Sequence, residues 1–95
     1  MLSNIEEVKQ KILPVLHRHQ VKRAALFGSI VRGEMKEDSD IDILVQIDTD
    51  ISLLDFIGIK QELEDILERS VDLVEYDVIK PIIKDTILKE QVVIL

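Results

Sequence analysis

The spacing of apolar positions along the chain switches between a period near 3.6 and a period near 2, which predicts alternating helices and strands. Ile5, Val8, Ile12, Val15 and Leu16 recur at helical spacing, so a helix is expected from about Asn4 to His19. Ser3-Asn4-Ile5-Glu6 in front of it has the S-x-x-E form of a capping box. Pro14 falls inside and removes a hydrogen bond to the Gln10 carbonyl, so a kink or break is expected there. Val21 to Phe27 reads as a strand that becomes buried and stops at Gly28, followed by a short helix over Ser29 to Glu34 with Gly33 as its stop. Met35 to Ser39 is polar turn material. Asp40 to Asp48 then alternates cleanly: Ile41, Ile43, Val45 and Ile47 face one way, and Asp40, Asp42, Leu44 and Gln46 the other.

In the second half, Ser52 can cap a helix with Asp55 in a box-like position, and Leu53, Phe56, Ile57, Leu63, Ile66 and Leu67 form its apolar stripe, which Gly58 weakens slightly. After a tight Arg69-Ser70 connection, Val71 to Tyr76 predicts a third strand with Asp72, Val74 and Tyr76 on one face and Val71, Leu73 and Glu75 on the other. Pro81 suits the first turn of a last helix whose buried stripe would be Ile82, Ile83, Ile87 and Leu88, and Val92 to Leu95 closes as a short strand. This order implies an α/β or α+β fold, a small mixed β-sheet flanked by helices. Residues 1–95 read as one domain, with no internal repeat or linker.

Composition narrows the function classes. The chain is 46% apolar and only 3% aromatic, enough for a folded core, although a chain of 95 residues buries only roughly 60 to 65% of its unfolded surface. Self-association or a partner would help its stability. Twelve basic against nineteen acidic residues give a net charge of −7, which argues against direct nucleic-acid binding and favours a basic protein partner or phosphates held through metal. The absence of cysteine excludes disulfides and thiolate metal sites. No apolar run is long enough to span a membrane and no signal pattern opens the chain, so a cytoplasmic location is expected. His17 and His19, two apart on a helix, point to different faces and read as surface residues at a helix end rather than metal ligands.

The candidate chemistry lies in FGSIVRGEMKEDSDID, Phe27 to Asp42. Asp40 and Asp42, two apart on a strand, put their carboxylates on one side, and two unit charges about 4 Å apart repel by roughly 4 kcal/mol at an effective dielectric of about 20. A hard divalent cation such as Mg²⁺ relieves such repulsion and prefers oxygen ligands. Taken alone, D-x-D equally describes a solvated loop. Gly28 alters the balance, because it lets backbone approach a ligand, the amides after it can receive an anion, and the Ser29 hydroxyl can donate to a phosphate oxygen. Asp72, by its own pattern, is either an edge-strand charge or a further site carboxylate.

Gly28-Ser29, ten residues, then Asp40-Ile41-Asp42 resembles the GS-x10-D-x-D signature of the DNA polymerase beta-like nucleotidyltransferase superfamily. The run GSIVRGEMKEDSDIDILV, the VDLV stretch and the terminal IIKDTILKEQVVIL are similar to its minimal nucleotidyltransferase group, so the resemblance covers nearly the whole chain. It implies the polymerase beta-like fold, with Gly28 and Ser29 holding the triphosphate of ATP and Asp40, Asp42 and Asp72 binding two Mg²⁺ ions. Arg32 would touch phosphate or else pair with Glu34, and Tyr76 would approach a base or simply pack at the sheet rim. The resemblance further implies an antitoxin that transfers AMP to a tyrosine of a HEPN-type ribonuclease toxin; a homo- or hetero-oligomer is compatible with the sequence, which does not fix the oligomeric state. Two alternatives stay open at this point: an antitoxin that neutralises its toxin by binding alone, and a transferase acting on a small molecule or RNA end.

Overall fold

A computed structural model describes residues 4–48 and 50–95. Its elements are α1 (Ile5–Arg18), β1 (Arg23–Phe27), α2 (Ser29–Arg32), β2 (Ile41–Gln46), α3 (Leu53–Leu67), β3 (Val71–Glu75), a 3₁₀ turn at Tyr76–Val78, α4 (Pro81–Glu90) and β4 (Val92–Val93). The four strands form one sheet in the order β3-β2-β1-β4. β1 pairs antiparallel with both β2 and β4, while β2 and β3 run parallel, which makes the sheet mixed as expected. Among the described residues no helix is long and apolar enough to cross a membrane.

Register turns the alternation of each strand into two distinct faces. Ala24 and Leu26 of β1, Ile41, Ile43 and Val45 of β2, and Val71 and Leu73 of β3 join one buried cluster with Val8, Ile12, Val15 and Leu16 of α1 and Ile59, Leu63 and Leu67 of α3. The opposite face has a much smaller cluster, Ala25, Leu44 and Ile79, with Phe27, Val74, Tyr76 and Ile87 packed around it. β2 therefore buries both its faces, as the central strand of the sheet should.

Several expectations shift. The cap of α1 is Asn4, whose Oδ1 accepts from the Glu7 N–H at 2.9 Å and whose Nδ2 donates to Glu7 Oε1 at 3.3 Å, so the cap is one residue later than S-x-x-E suggests; Ser3 lies outside the described residues. α1 runs unbroken through Pro14, which is exposed, so its ring meets solvent while Val15 and Leu16 anchor the turn beyond it. Ser52 does cap α3, its Oγ accepting from the Asp55 N–H at 3.1 Å. The buried stripe of α3 is Ile59, Leu63 and Leu67, with Phe56 half-buried; Leu53, Ile57 and Ile66 are exposed, in the first turn or on the flanks of that stripe. Tyr76 leaves the strand to open the 3₁₀ turn.

The largest departure is α4. Pro81 occupies its first turn as expected, but none of its residues is buried, and Ile82 and Ile83 are exposed. Ile87, half-buried, packs against the smaller cluster, and Leu88 is also only half-buried. The apolar stripe exists in the sequence, but only part of it meets the sheet.

Candidate active site

The site lies on the thinly covered face, in one transverse row of the sheet. Phe27 pairs with Asp42 across β1 and β2, and Asp42 pairs with Asp72 across β2 and β3. Residues aligned in register share a face, so the Asp42 and Asp72 side chains rise side by side from the sheet. Asp40 stands two residues before Asp42, just ahead of β2, and keeps the same side by the period of two. Its approach loop is fastened from the far side. The Arg69 guanidinium donates to the carbonyls of Lys36, Glu37 and Ser39, and the Ile41 N–H donates to the Ser70 carbonyl at 3.0 Å. The tight turn into β3 thus sets where β2 begins.

Gly28 is the cap of α2, with φ +80° and ψ −149°, a conformation that an L side chain rarely adopts. It is also sterically reserved: a Cβ there would sit 1.9 Å from Asp42 Oδ2. The Asp42 carboxylate therefore lies against the glycine backbone, and the turn and the acid form one unit. Val31 and Arg32 return their N–H groups to the Gly28 carbonyl, and Gly33, at φ +72°, ends the helix in the left-handed conformation. Ser29 sits half-buried in the first turn.

Asp42 is half-buried, and its carboxyl is pushed up to about 6. Burial is the main cause, followed by the charges of Asp72 and Asp40, with Glu90 adding to them and Arg32 opposing. Like charges converging on a partly desolvated group hold on to a proton in this way, and a cation would relieve the same strain. Asp40, Asp42 and Asp72 supply hard oxygen donors of the kind Mg²⁺ prefers. Among the described residues no three acidic, imidazole or thiol side chains close into a ready-made cage. The donor set suits an ion that takes much of its shell from water and substrate phosphates.

Arg32 lies one turn beyond Ser29 and makes both of the pairings in reach. Its Nε donates to Glu34 Oε1 at 3.0 Å and its Nη1 to Glu90 Oε1 at 2.9 Å. The same Glu90 oxygen accepts the Gly28 N–H at 2.7 Å. A cavity of about 340 Å³ is bounded by Phe27, Gly28, Arg32 and Asp42 on one side and by Ile83, Thr86, Ile87 and Glu90 of α4 on the other. Glu90 and the α4 wall are absent from any reading of the signature, because nothing local to residue 90 marks it. It arrives through the pairing of β4 with β1, which carries the end of α4 up to Gly28.

Tyr76 takes the packing role. Its hydroxyl donates to Gln91 Oε1 at 2.7 Å, and the Arg23 guanidinium stacks 5.0 Å from its ring centre. His17 is exposed on α1, whereas His19, the residue that caps it, is half-buried with its Nε2 3.1 Å from Glu62 Oε1 of α3.

The profile of the polymerase beta nucleotidyltransferase family matches residues 10–95. This chain belongs to that family. A relative in Methanocaldococcus jannaschii, MJ0435, provisionally named a protein adenylyltransferase, is 52% identical over 97% of this chain and 99% of its own. The protein adenylyltransferase MntA of Thermococcus cleftensis is 48% identical over 79% of this chain and 76% of its own. Among solved structures, one described provisionally as a minimal nucleotidyltransferase superposes with a TM-score of 0.79 at 34% identity, covering 92% of this chain and 89% of the other. An MNT antitoxin in complex with a tri-AMPylated HEPN toxin from Shewanella oneidensis superposes with a TM-score of 0.74 at 21% identity, covering 95% of this chain and 71% of the other; at that identity the likeness establishes the fold. As a family member the chain is a nucleotidyltransferase, built on the polymerase beta-like fold in minimal form.

Proposed function

We propose that this nucleotidyltransferase is a cytoplasmic antitoxin that transfers AMP from ATP to a hydroxyl, a tyrosine, of a HEPN-type toxin. The observation that carries the reading is the Phe27–Asp42–Asp72 row with the Asp42 carboxylate seated on Gly28, because it sets the glycine turn against mutually repelling carboxylates. The names borne by the relatives and the AMPylated HEPN toxin in the Shewanella complex support the acceptor class.

In this reading Gly28, Ser29 and Arg32 hold the phosphates of the donor, and Asp40, Asp42 and Asp72 hold Mg²⁺. Bound there, Mg²⁺ would neutralise the gathered phosphate charge and make the acceptor hydroxyl more acidic. Asp72 is exposed on an edge strand, so an acceptor arriving from outside meets it first, whereas Asp42 is screened by the Gly28 turn. The reaction is ATP plus acceptor hydroxyl giving acceptor-O-AMP and pyrophosphate, with the hydroxyl proton lost to solvent. The acidic surface suits a toxin with a basic RNA-cleaving site.

The test uses the chain with a HEPN-domain protein from the same source, ATP and Mg²⁺, followed by intact-mass measurement of the toxin. One or more AMP-sized increments on a tyrosine are expected. Neutralisation of the toxin with no mass increment, retained in an Asp40→Asn, Asp42→Asn double variant, would replace catalysis with neutralisation by binding alone.

A further inference from the structure

α4 has no fully buried residue, yet its last residue contacts two groups that line the cavity beside Asp42. Glu90 Oε1 accepts from Gly28 N–H and from Arg32 Nη1 at once, and the Glu90 side chain is only 20% exposed. With Nε engaged by Glu34, two of the five guanidinium N–H groups of Arg32 are committed to carboxylates and three are left for a further anion. Arg32 itself is otherwise a long, exposed side chain whose rotamers would have to be frozen whenever a ligand binds.

We propose that Glu90 is a positioning residue for the nucleotide donor, fixing Arg32 and the Gly28 turn so that the remaining guanidinium donors are already aimed into the α4-walled cavity. This rests on the reading of Gly28, Ser29 and Arg32 as the phosphate site, in which Gly28, its one N–H held by Glu90, serves by letting the phosphates approach the backbone closely. The opposite arrangement, in which Glu90 stands in for a phosphate oxygen and leaves when one arrives, would have to withdraw a side chain that is only 20% exposed from two donors at once. The shared oxygen is better suited to a strut. Its charge disfavours nearby phosphate, while the geometry it imposes favours it, and the two effects are separable by substitution.

The measurement is the dissociation constant for ATP with Mg²⁺, by calorimetry, alongside the melting temperature. Glu90→Ala is expected to weaken ATP binding about tenfold, the scale of a lost charge-assisted contact that had preorganised the site. Glu90→Gln keeps the accepting oxygen without the charge and should bind within about threefold of the parent or tighter. In an Arg32→Ala background the further change to Glu90→Ala should cost less than about threefold, because its main target is gone. If Glu90→Ala does not fold, Glu90→Asp, one methylene short of both donors, carries the same expectation. A folded Glu90→Ala that binds ATP as well as the parent overturns the proposal, and tighter binding makes Glu90 a competitor instead. A parent protein that binds no ATP overturns the donor-pocket reading and this inference with it.

Discussion

On one face of the sheet, α1 and α3 lay Val8, Ile12, Leu16 and Leu63 against Leu26, Ile41 and Ile43 until each is fully buried, whereas on the other face α4 contributes no buried residue and leaves Ile82 89% exposed. The difference follows what each face carries. Apolar burial stabilises at about 25 cal/mol per Å², and nearly all of it is concentrated where no charge has to be accommodated. The thin face carries the Phe27–Asp42–Asp72 row, in which Asp42 is repelled by Asp72 and Asp40. A 95-residue chain can hold such a row only because the opposite face needs nothing from it.

The sharpest way to separate the faces is Asp42→Asn. Nucleotidyl transfer should fall by at least about a thousandfold, roughly 4 kcal/mol of barrier, if Asp42 is the metal ligand proposed above. The melting temperature should stay level or rise, because one of several mutually repelling charges has gone. A clear drop in stability would mean that the acid row is scaffold, and the contrast between faces would collapse.

Leu63→Ala probes the packed face in the opposite sense. Removal of this fully buried side chain should cost about 2–5 kcal/mol in urea unfolding, with the activity of the folded fraction retained. Ile83→Ala, on exposed α4, should change stability by no more than about 0.5 kcal/mol. Similar losses at the two positions would show that α4 is as much core as α3.

Gly28→Ala acts on both faces' terms together. A non-glycine residue at φ +80° costs about 1–3 kcal/mol. The added Cβ also needs the space of Asp42 Oδ2, so the carboxylate must turn away and transferase activity should fall further than stability alone explains.

What the sequence made legible follows the same division. The alternation of β2 could be read directly because each of its faces meets a cluster, so every position reports its surroundings. The spacing from Gly28-Ser29 to Asp40 and Asp42 is local, and turn and strand ends keep it so. Asp72 is tied to Asp42 only by the parallel register of β2 and β3, which no local pattern encodes; its own strand favours an edge charge, and only the family resemblance points to it. For α4 the periodicity correctly marks an apolar stripe, but periodicity tells which side is apolar and not what covers it. Glu90 was invisible because its significance depends on a two-residue strand, Val92–Val93, pairing with β1.

The smallest effect is the pH dependence of stability without metal. The Asp42 carboxyl, ordinarily near 3.8, sits at about 6 in the folded chain, so between those values the folded state binds more protons than the unfolded one. Stability then falls as pH rises: the contribution is fully present below about 3.8, is lost through about 6, and is absent at neutral pH. Because Asp42 is only half-buried, solvent screening reduces the effect to about 1 kcal/mol, or roughly 5 °C in melting temperature for a domain of this size. The exposed Glu62, held below its usual value by Arg18 and then His19, pulls the other way. The quantity to measure is therefore the difference between parent and Asp42→Asn in chelator, at pH 7.5 and again at pH 4.5. Asp42→Asn should hold its advantage at the higher pH and lose it at the lower. An advantage that does not change with pH would mean that the Asp42 charge is not under strain, and that the thin face carries its acids at no cost.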